Sequence, residues 1–481
     1  MMENAHPQEV AETRMVEYKE LRQDRINDLS NYTYCMVSTL NQMVNYLPML
    51  LFPQMTQKLY ITLNEEKGGG KNKDFDKALE YACAEAGIGF PSDCIVLNTP
   101  DSTENNKADI IGRISNDSKI CWNITGGQRP ILMAILDLAK SRKDDYIMYL
   151  EGNEGKLLVQ QSDGNGHLRE VDLSPDGNNR YAFEGDGAKL NIRTALQLMG
   201  IEVHKYDNAF SPSTVLDGII AKYEKKENDI FRRRLLSLNK RFTSKTKGLE
   251  ERAKPETLEE GKKLYFVEEA YDDGTGKQTK SVRFYNGKIW NCSDAQKRKY
   301  LLKDQDEGYL NQEEFDFLTN KQKGYAKRSF PFGHMLEEMF AQKLWKLLNG
   351  RIADMAFNLK LFSPKEIIDE QIDEIDIAIL TKTGQLVVFE VKSGDMSGDV
   401  AKSTKYTTYA IAGVYGKPVL LTALLKHQFD EVEDITKNKN WAYGGSAAAF
   451  QAARRAQLPI IALDGNDSGD FNAAIKKLLH L

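Results

Sequence analysis

From residue 31 to residue 150 short apolar runs alternate with longer amphipathic ones, and few folds accept that rhythm. Runs at 32–39, 58–63, 93–97, 119–124 and 145–150 have strand length, and the stretches 41–55, 74–86 and 128–141 between them have helical spacing. Strands separated by helices imply a mainly parallel sheet covered on both faces, a Rossmann-like layout, because parallel neighbours need a crossover. Ligands of such sheets bind outside the carboxyl ends of the strands. Two polar strand-to-helix junctions stand there. The first strand runs into Ser38, Thr39, Asn41 and Gln42, and the fourth into Asn123, Thr125, Gly126, Gly127, Gln128 and Arg129. Paired glycines allow close backbone approach, and a helix start beside Arg129 suits an anion such as phosphate.

Beyond residue 150 the pattern loosens. Residues 151–190 are rich in Gly, Asn and Asp and read as hairpins and loops, and 191–200 reads as one more helix. Between Lys222 and Lys254 there are twelve Lys or Arg against five Asp or Glu. A solvated connecting helix is expected there, with a nucleic-acid-tracking stripe as the alternative. Residues 264–290 suit a hairpin turning at 272–276. The 68–71 Gly-Gly-Gly-Lys run lacks the spacing of a phosphate-binding loop, and the acidic run from Asp304 has its glycine one position early for a calcium loop.

A second signal lies near the C-terminus. Asp376 opens an aliphatic run, a turn containing Gly384 follows, and Phe389-Glu390-Val391-Lys392 closes a second run. On a strand, Glu390 and Lys392 share one face while Phe389 and Val391 face a core. Two carboxylates about 4 Å apart repel by about 4 kcal/mol at an effective dielectric of about 20, so Asp376 and Glu390 call for a cation between them. Oxygen ligands select a hard ion, Mg²⁺ or Mn²⁺, and a nearby lysine can orient the water it activates. Upstream, residues 333–348 have helical spacing of Met335, Leu336, Met339, Phe340, Leu344 and Leu347, with Glu337 and Glu338 expected in the first turn. His334 is expected to be locally satisfied and not a ligand.

The Asp376, Glu390 and Lys392 set resembles the PD-(D/E)xK nucleases of restriction-endonuclease-like fold, with Ile375 where the motif name has proline. The resemblance implies Asp376, Glu390 and the Val391 carbonyl as metal ligands, Lys392 as the catalytic lysine and Glu337 as a further catalytic acid. Residues 31–165, through Asn123, Thr125, Gly126 and Gly127 and the polar end of the first strand, resemble the CARF domain, a Rossmann fold that senses cyclic oligoadenylates. That resemblance implies the activator contacts Ser38, Thr39, Asn41, Gln42, Asn123, Thr125, Gly126, Gly127, Gln128 and Arg129. Joined, the two look like a CRISPR ancillary nuclease of type III systems. The expected product is a metal-dependent endonuclease of DNA and/or RNA, activated by a cyclic oligoadenylate, with cyclic tetra-adenylate the expected ring. A homodimer would match a symmetric ligand. The alternatives are a repair or restriction nuclease without a messenger, and a non-catalytic nucleotide sensor. A HEPN ribonuclease is discounted, since Pro331 and Gly333 interrupt the helix that Arg328 and His334 would need.

The expected fold class is α/β: an N-terminal extension (1–30), the CARF domain (31–165), a helical and hairpin connecting region (166–325) and a nuclease domain (326–481). The net charge of −5 offers no global attraction for nucleic acid, so such contact must be local. The N-terminus lacks the basic start and apolar core of a secretory signal, no apolar run approaches the about 20 residues of a membrane span, and the five scattered cysteines read as buried thiols of a reducing compartment. A cytoplasmic protein without membrane contact is expected.

Overall fold

The computed structural model describes residues 29–64, 73–91, 93–98, 102–174, 177–184, 187–203, 210–237, 254–257, 263–272, 278–285, 302–324, 332–362, 371–394, 396, 398–432 and 444–481. Most of the N-terminal extension, the 68–71 loop, the Lys240 and Arg241 pair, residues 325–331 with Arg328 and Pro331, and the turn at 273–277 lie outside them.

The first sheet has seven strands: β1 (Thr33–Val37), β2 (Lys58–Leu63), β3 (Asp93–Leu97), β4 (Ile120–Asn123), β5 (Tyr146–Glu151), β6 (Lys156–Ser162) and β7 (Leu168–Glu170), in the order β3-β2-β1-β4-β5-β6-β7. The first five are parallel, as their alternation with helices predicts, and β6 and β7 add an antiparallel edge. The crossover helices are α1 (Met43–Leu51), α2 (Lys73–Glu85), α3 (Thr103–Ile111) and α4 (Arg129–Ser141). Helix α3 was not expected: only Asn106 and Ile110 are buried along it, too few for a readable stripe, and its start is fixed by Ser102, whose hydroxyl accepts from Asn105 N (3.2 Å). Cys35, Cys83 and Cys121 are buried, whereas Cys94 is exposed, because β3 is the edge strand and turns that face outward.

Helices α3 and α4 cover one face, where Ile110, Ile131, Ile135 and Leu138 meet Val37, Ile61 and Trp122. Helices α1 and α2 cover the other, and that core does not stop at them: Leu47, Leu150 and Tyr181 share it with Ala378, Leu380, Leu386 and Val388 of the C-terminal half. The two halves are fused through one apolar interior.

After α5 (Ile192–Gln197), the short β8 (Glu202–Val203) forms an edge of the second sheet. Helices α6 (Thr214–Glu224) and α7 (Asp229–Ser237) follow, then a three-stranded antiparallel sheet of β9 (Lys254–Thr257), β10 (Lys263–Asp272) and β11 (Gln278–Tyr285), which contains the expected hairpin. Arg232, in the basic cluster expected to be solvated, is buried. Its guanidinium donates to the Tyr223 (2.9 Å), Lys225 and Lys226 (2.8 Å) carbonyls.

Helices α8 (Gln312–Gly324) and α9 (Phe332–Leu348) lead into β12 (Asp354–Phe362), β13 (Gln371–Leu380) and β14 (Leu386–Lys392). Helix α10 (Gly398–Ala412), β15 (Gly416–Thr422), α11 (Phe429–Val432), α12 (Gly444–Arg455), β16 (Ile460–Ala462) and α13 (Phe471–Leu479) complete the chain. The second sheet runs β16-β15-β14-β13-β12-β8, antiparallel from β8 to β14 and parallel from β14 to β16. Its outer face packs on α6, α7, α9 and α13 through Tyr223, Phe231, Phe340 and Phe471.

Candidate functional site

Asp376 sits where β13 changes face. Pairing with β12 runs from Phe357↔Ile377 to Leu359↔Ile375, with Asn358 and Asp376 between them. Asn358 has a left-handed backbone (φ 51°), and the alternation inverts across it. Phe357 and Ile377 face the outer core, but Leu359 and Ile375 face the core shared by the two halves. Such irregularities re-aim a side chain. The one re-aimed here is Asp376, whose Oδ2 accepts from Val391 N (2.7 Å) on β14.

On β14, Phe389 and Val391 enter the outer core as expected, and Glu390 and Lys392 come out together as an ion pair. Glu337 also joins the cluster. It raises the pKa of Asp376, as does Glu390, and the largest contribution is burial. The Asp376 carboxyl is thereby held well above its ordinary range, the behaviour of like charges crowded in a half-buried site. For Lys392, burial works against the charge, but Glu390, Asp376 and Glu337 outweigh it and raise its pKa. Its ammonium stays charged. Glu337 stands in the second turn of α9, not the first, because the helix begins earlier, at the buried Phe332. His334 lies one turn before Glu337, with Nδ1 at 3.1 Å from Glu337 Oε2, and that bond raises its pKa. Sequence reading gave His334 no part in this cluster, although its spacing of three from Glu337 is the helical signal for contact.

All four proposed catalytic side chains therefore share one electrostatic site. Their oxygen donors fit a hard cation in kind. As placed, Glu390 is turned onto Lys392 and Asp376 onto the Val391 N–H, and among the described residues no group of three or more His, Cys, Asp or Glu is set to hold a metal.

The sensor-side residues divide into two classes. Asn123 is buried. Its Nδ2 donates to Tyr34 OH (2.8 Å), Val44 O (2.9 Å) and Asn45 Oδ1 (3.2 Å), and its Oδ1 accepts from the Thr125 hydroxyl (2.6 Å) and N–H (3.0 Å). The Thr125 oxygen also accepts from Leu150 N (2.8 Å). Ser38 and Gln42 are likewise buried and turned inward. Ser38 Oγ (2.7 Å), Gln42 Nε2 (2.9 Å), Tyr60 OH (2.5 Å) and Thr62 Oγ1 (3.3 Å) all donate to Asp76, whose pKa is raised by burial. Asn123, Thr125, Ser38 and Gln42 thus build the crevice from beneath. Sequence reading missed Asp76, which reaches the site from α2 and carries no local motif.

Thr39, Asn41, Gly126 and Gly127 are half-buried, and Gln128 and Arg129 are exposed. The glycines let the two junctions touch. A Cβ on Gly126 would come within 2.7 Å of Val44 and 2.9 Å of Thr39, and one on Gly127 (φ 125°) within 2.7 Å of Val37. Pro130, next to Arg129 at the start of α4, brings no N–H to the crevice.

The junctions also touch the C-terminal half. A Cβ on Gly413, at the end of α10, would meet Asn41 Nδ2 at 2.8 Å. Tyr415 OH donates to Leu150 O (2.8 Å), at the carboxyl end of β5.

Among solved structures the chain is similar to protein VC1899 from Vibrio cholerae, with 14% identity, 94% of this chain and 97% of that one covered and a TM-score of 0.51. It is also similar to Can2 from Sulfobacillus thermosulfidooxidans, solved in complex with cyclic tetra-adenylate, with 13% identity, 95% and 98% covered and a TM-score of 0.50. At these identities the likeness is one of fold, and it spans nearly the whole chain. No protein-family model and no curated protein matches the sequence.

Proposed function

We propose that this α/β chain, sharing its fold with a protein solved bound to cyclic tetra-adenylate, is a metal-dependent endonuclease switched on by a cyclic oligoadenylate. In this reading it is a CARF-type ancillary nuclease of type III CRISPR defence that cleaves DNA and/or RNA in the cytoplasm. The observation that carries it is the convergence of Asp376, bonded to the Val391 N–H, the Glu390–Lys392 ion pair and Glu337 on one half-buried site.

Asp376, Glu390 and the Val391 carbonyl would hold Mg²⁺ or Mn²⁺, which when bound supplies Lewis acidity toward a phosphoryl oxygen and lowers the pKa of a bound water. Lys392 holds a positive charge where phosphate would lie, and orients the attacking water through its Nζ. Glu337 adds negative charge beside Asp376 and fixes His334.

Cyclic tetra-adenylate is the proposed activator. Thr39, Asn41, Gln128 and Arg129 would face it, and Ser38, Gln42, Asn123, Thr125, Gly126 and Gly127 would shape its seat. A symmetric ring is matched by a two-fold homodimer, with the same residues from each copy. Exposed Leu40 and Met133, on the first junction and on α4, suit coverage by a base or by that second copy. No helix among the described residues is long and apolar enough to cross a membrane.

The test is cleavage of end-labelled DNA and RNA with Mn²⁺ and cyclic tetra-adenylate, repeated with EDTA and with Glu390→Ala. Cleavage lost in both controls supports the reading, and turnover by Glu390→Ala removes the assigned site.

A further inference from the structure

The exposed face of α10 carries an unusual set of side chains. Along this helix Ala401, Thr404, Thr408, Ile411 and Ala412 are buried, while Lys402, Tyr406 and Tyr409 are exposed, the tyrosines by 77% and 45%. Steps of four and three residues set Lys402, Tyr406 and Tyr409 on one face. A single exposed tyrosine needs no explanation. Two on one face with a lysine, on a helix that begins six residues after Lys392, do.

Helix α12 lies alongside. Ala401 packs with Ala449, Ala452 and Ala453, and Ser446 Oγ donates to Ser393 O (3.1 Å), so α12 starts next to the end of the catalytic strand. At the far end of α12 Lys405 Nζ donates to Ala456 O (3.1 Å), which sets the exposed Arg455 and Arg454 one and two residues from a contact with α10. Both helices run outward from the catalytic end. Over 398–412 and 444–462 the sequence has four cations, Lys402, Lys405, Arg454 and Arg455, and one acid, Asp399, in a chain of net charge −5.

We propose that this face holds the nucleic-acid strand outside the catalytic centre, with bases stacked on Tyr406 and Tyr409 and phosphates against Lys402, Arg454 and Arg455. Aromatic faces interleaved with cations form the usual platform for unpaired bases, because every base has a π-face and every linkage a charge. The tyrosines are separated by about 4.5 Å along the helix axis, near the about 3.4 Å spacing of successive bases. The inference rests on the nuclease reading and adds the place where the strand lies.

The experiment measures fluorescence anisotropy of a labelled oligothymidylate of about 12 nucleotides, a length within the usual footprint of such platforms. The full chain is used with Glu390→Ala to keep the probe intact, and wild-type cleavage of the same probe is followed in parallel. Tyr406→Ala and Tyr409→Ala should each weaken binding about fivefold to a hundredfold, and Tyr406→Phe should restore it. Lys402→Ala should lower the slope of log affinity against log salt by about one phosphate contact. Unchanged affinity in both alanine variants, with wild-type cleavage intact, overturns the platform and leaves the nuclease reading standing. Sedimentation showing that Tyr406→Ala dissociates a dimer also overturns it, since a second copy would then cover the face. The probe and its oligouridylate counterpart both left uncut by wild-type protein with activator count against the nuclease reading itself.

Discussion

The Tyr415 hydroxyl donates to the Leu150 carbonyl at 2.8 Å, joining the end of β5 to the turn between α10 and β15. The ring lies against Gly152, where a Cβ would come within 2.6 Å of it. In sequence order the path runs from Lys392 through α10 to Gly413, which abuts Asn41 of the first junction, and to Tyr415, which bonds Leu150 at the end of β5, whose N–H in turn donates to Thr125 of the second junction. A change of shape at Asn41 or Leu150 is therefore expected to reach one end of the helix whose other end follows the proposed catalytic strand. Tyr415→Phe keeps the packing and removes the bond, leaving the Leu150 carbonyl short of a partner. A net loss of about 0.5–1.5 kcal/mol is expected in denaturant unfolding. Activator affinity measured by calorimetry should stay close to wild type while the stimulated rate falls. A full stimulated rate would show that this contact does not transmit.

Gly152→Ala should be worse, because its added methyl has nowhere to go while Tyr415 remains. An overpacking cost of about 1–3 kcal/mol is expected, and Tyr415→Ala in the same chain should relieve part of it. Additive effects of the two substitutions would mean that the contact is not tight.

At the crevice, Gly126→Ala and Gly127→Ala should separate the two junctions, the first through Val44 and Thr39 and the second through Val37 and a backbone at φ 125°. Both should reduce binding of cyclic tetra-adenylate, whereas Arg129→Ala, on the exposed rim, should reduce binding and leave the melting temperature in place. Losing a hydrogen bond to a charged group typically costs about 1.5–3 kcal/mol, or about tenfold to a hundredfold in affinity. Wild-type affinity in all three variants would remove this crevice from consideration.

Much of this was legible in sequence, for a physical reason. Buried parallel strands are nearly continuous apolar runs, aromatic and sulfur side chains included, so most of β1 to β5 stood out, and Phe389-Glu390-Val391-Lys392 carries its alternation within four residues. Features that depend on distant partners did not stand out. The inward bonds of Ser38 and Gln42 could not be read, because nothing local reveals Asp76, 38 and 34 residues away, as their partner. The inversion at Asn358 is a backbone event, the alanine-rich α12 has no contrasting faces, and the interior shared by Leu47 and Leu386 belongs to neither segment alone.

Asp76 gives a pH test with a definite sign. Burial raises its pKa above the ordinary 3.8, so the folded state holds the proton more tightly than the unfolded chain. Its contribution is then fully present below that ordinary value and is lost as pH rises through the raised one. Relative to Asp76→Asn, the wild-type unfolding free energy should fall across that window. Parallel curves for the two proteins would mean that Asp76 titrates normally.

In the proposed function the crevice gates the carboxylate site. A shift of a two-state equilibrium from about 1:99 to 99:1 needs about 5.5 kcal/mol of differential affinity, which a ring held by both junctions of two copies can supply. The direct measurement is the single-turnover cleavage rate at saturating Mn²⁺ as cyclic tetra-adenylate is titrated, for wild type and Lys392→Ala. The expected rate climbs by orders of magnitude to a plateau in wild type and stays flat in Lys392→Ala. Equal wild-type rates with and without the ring would contradict it.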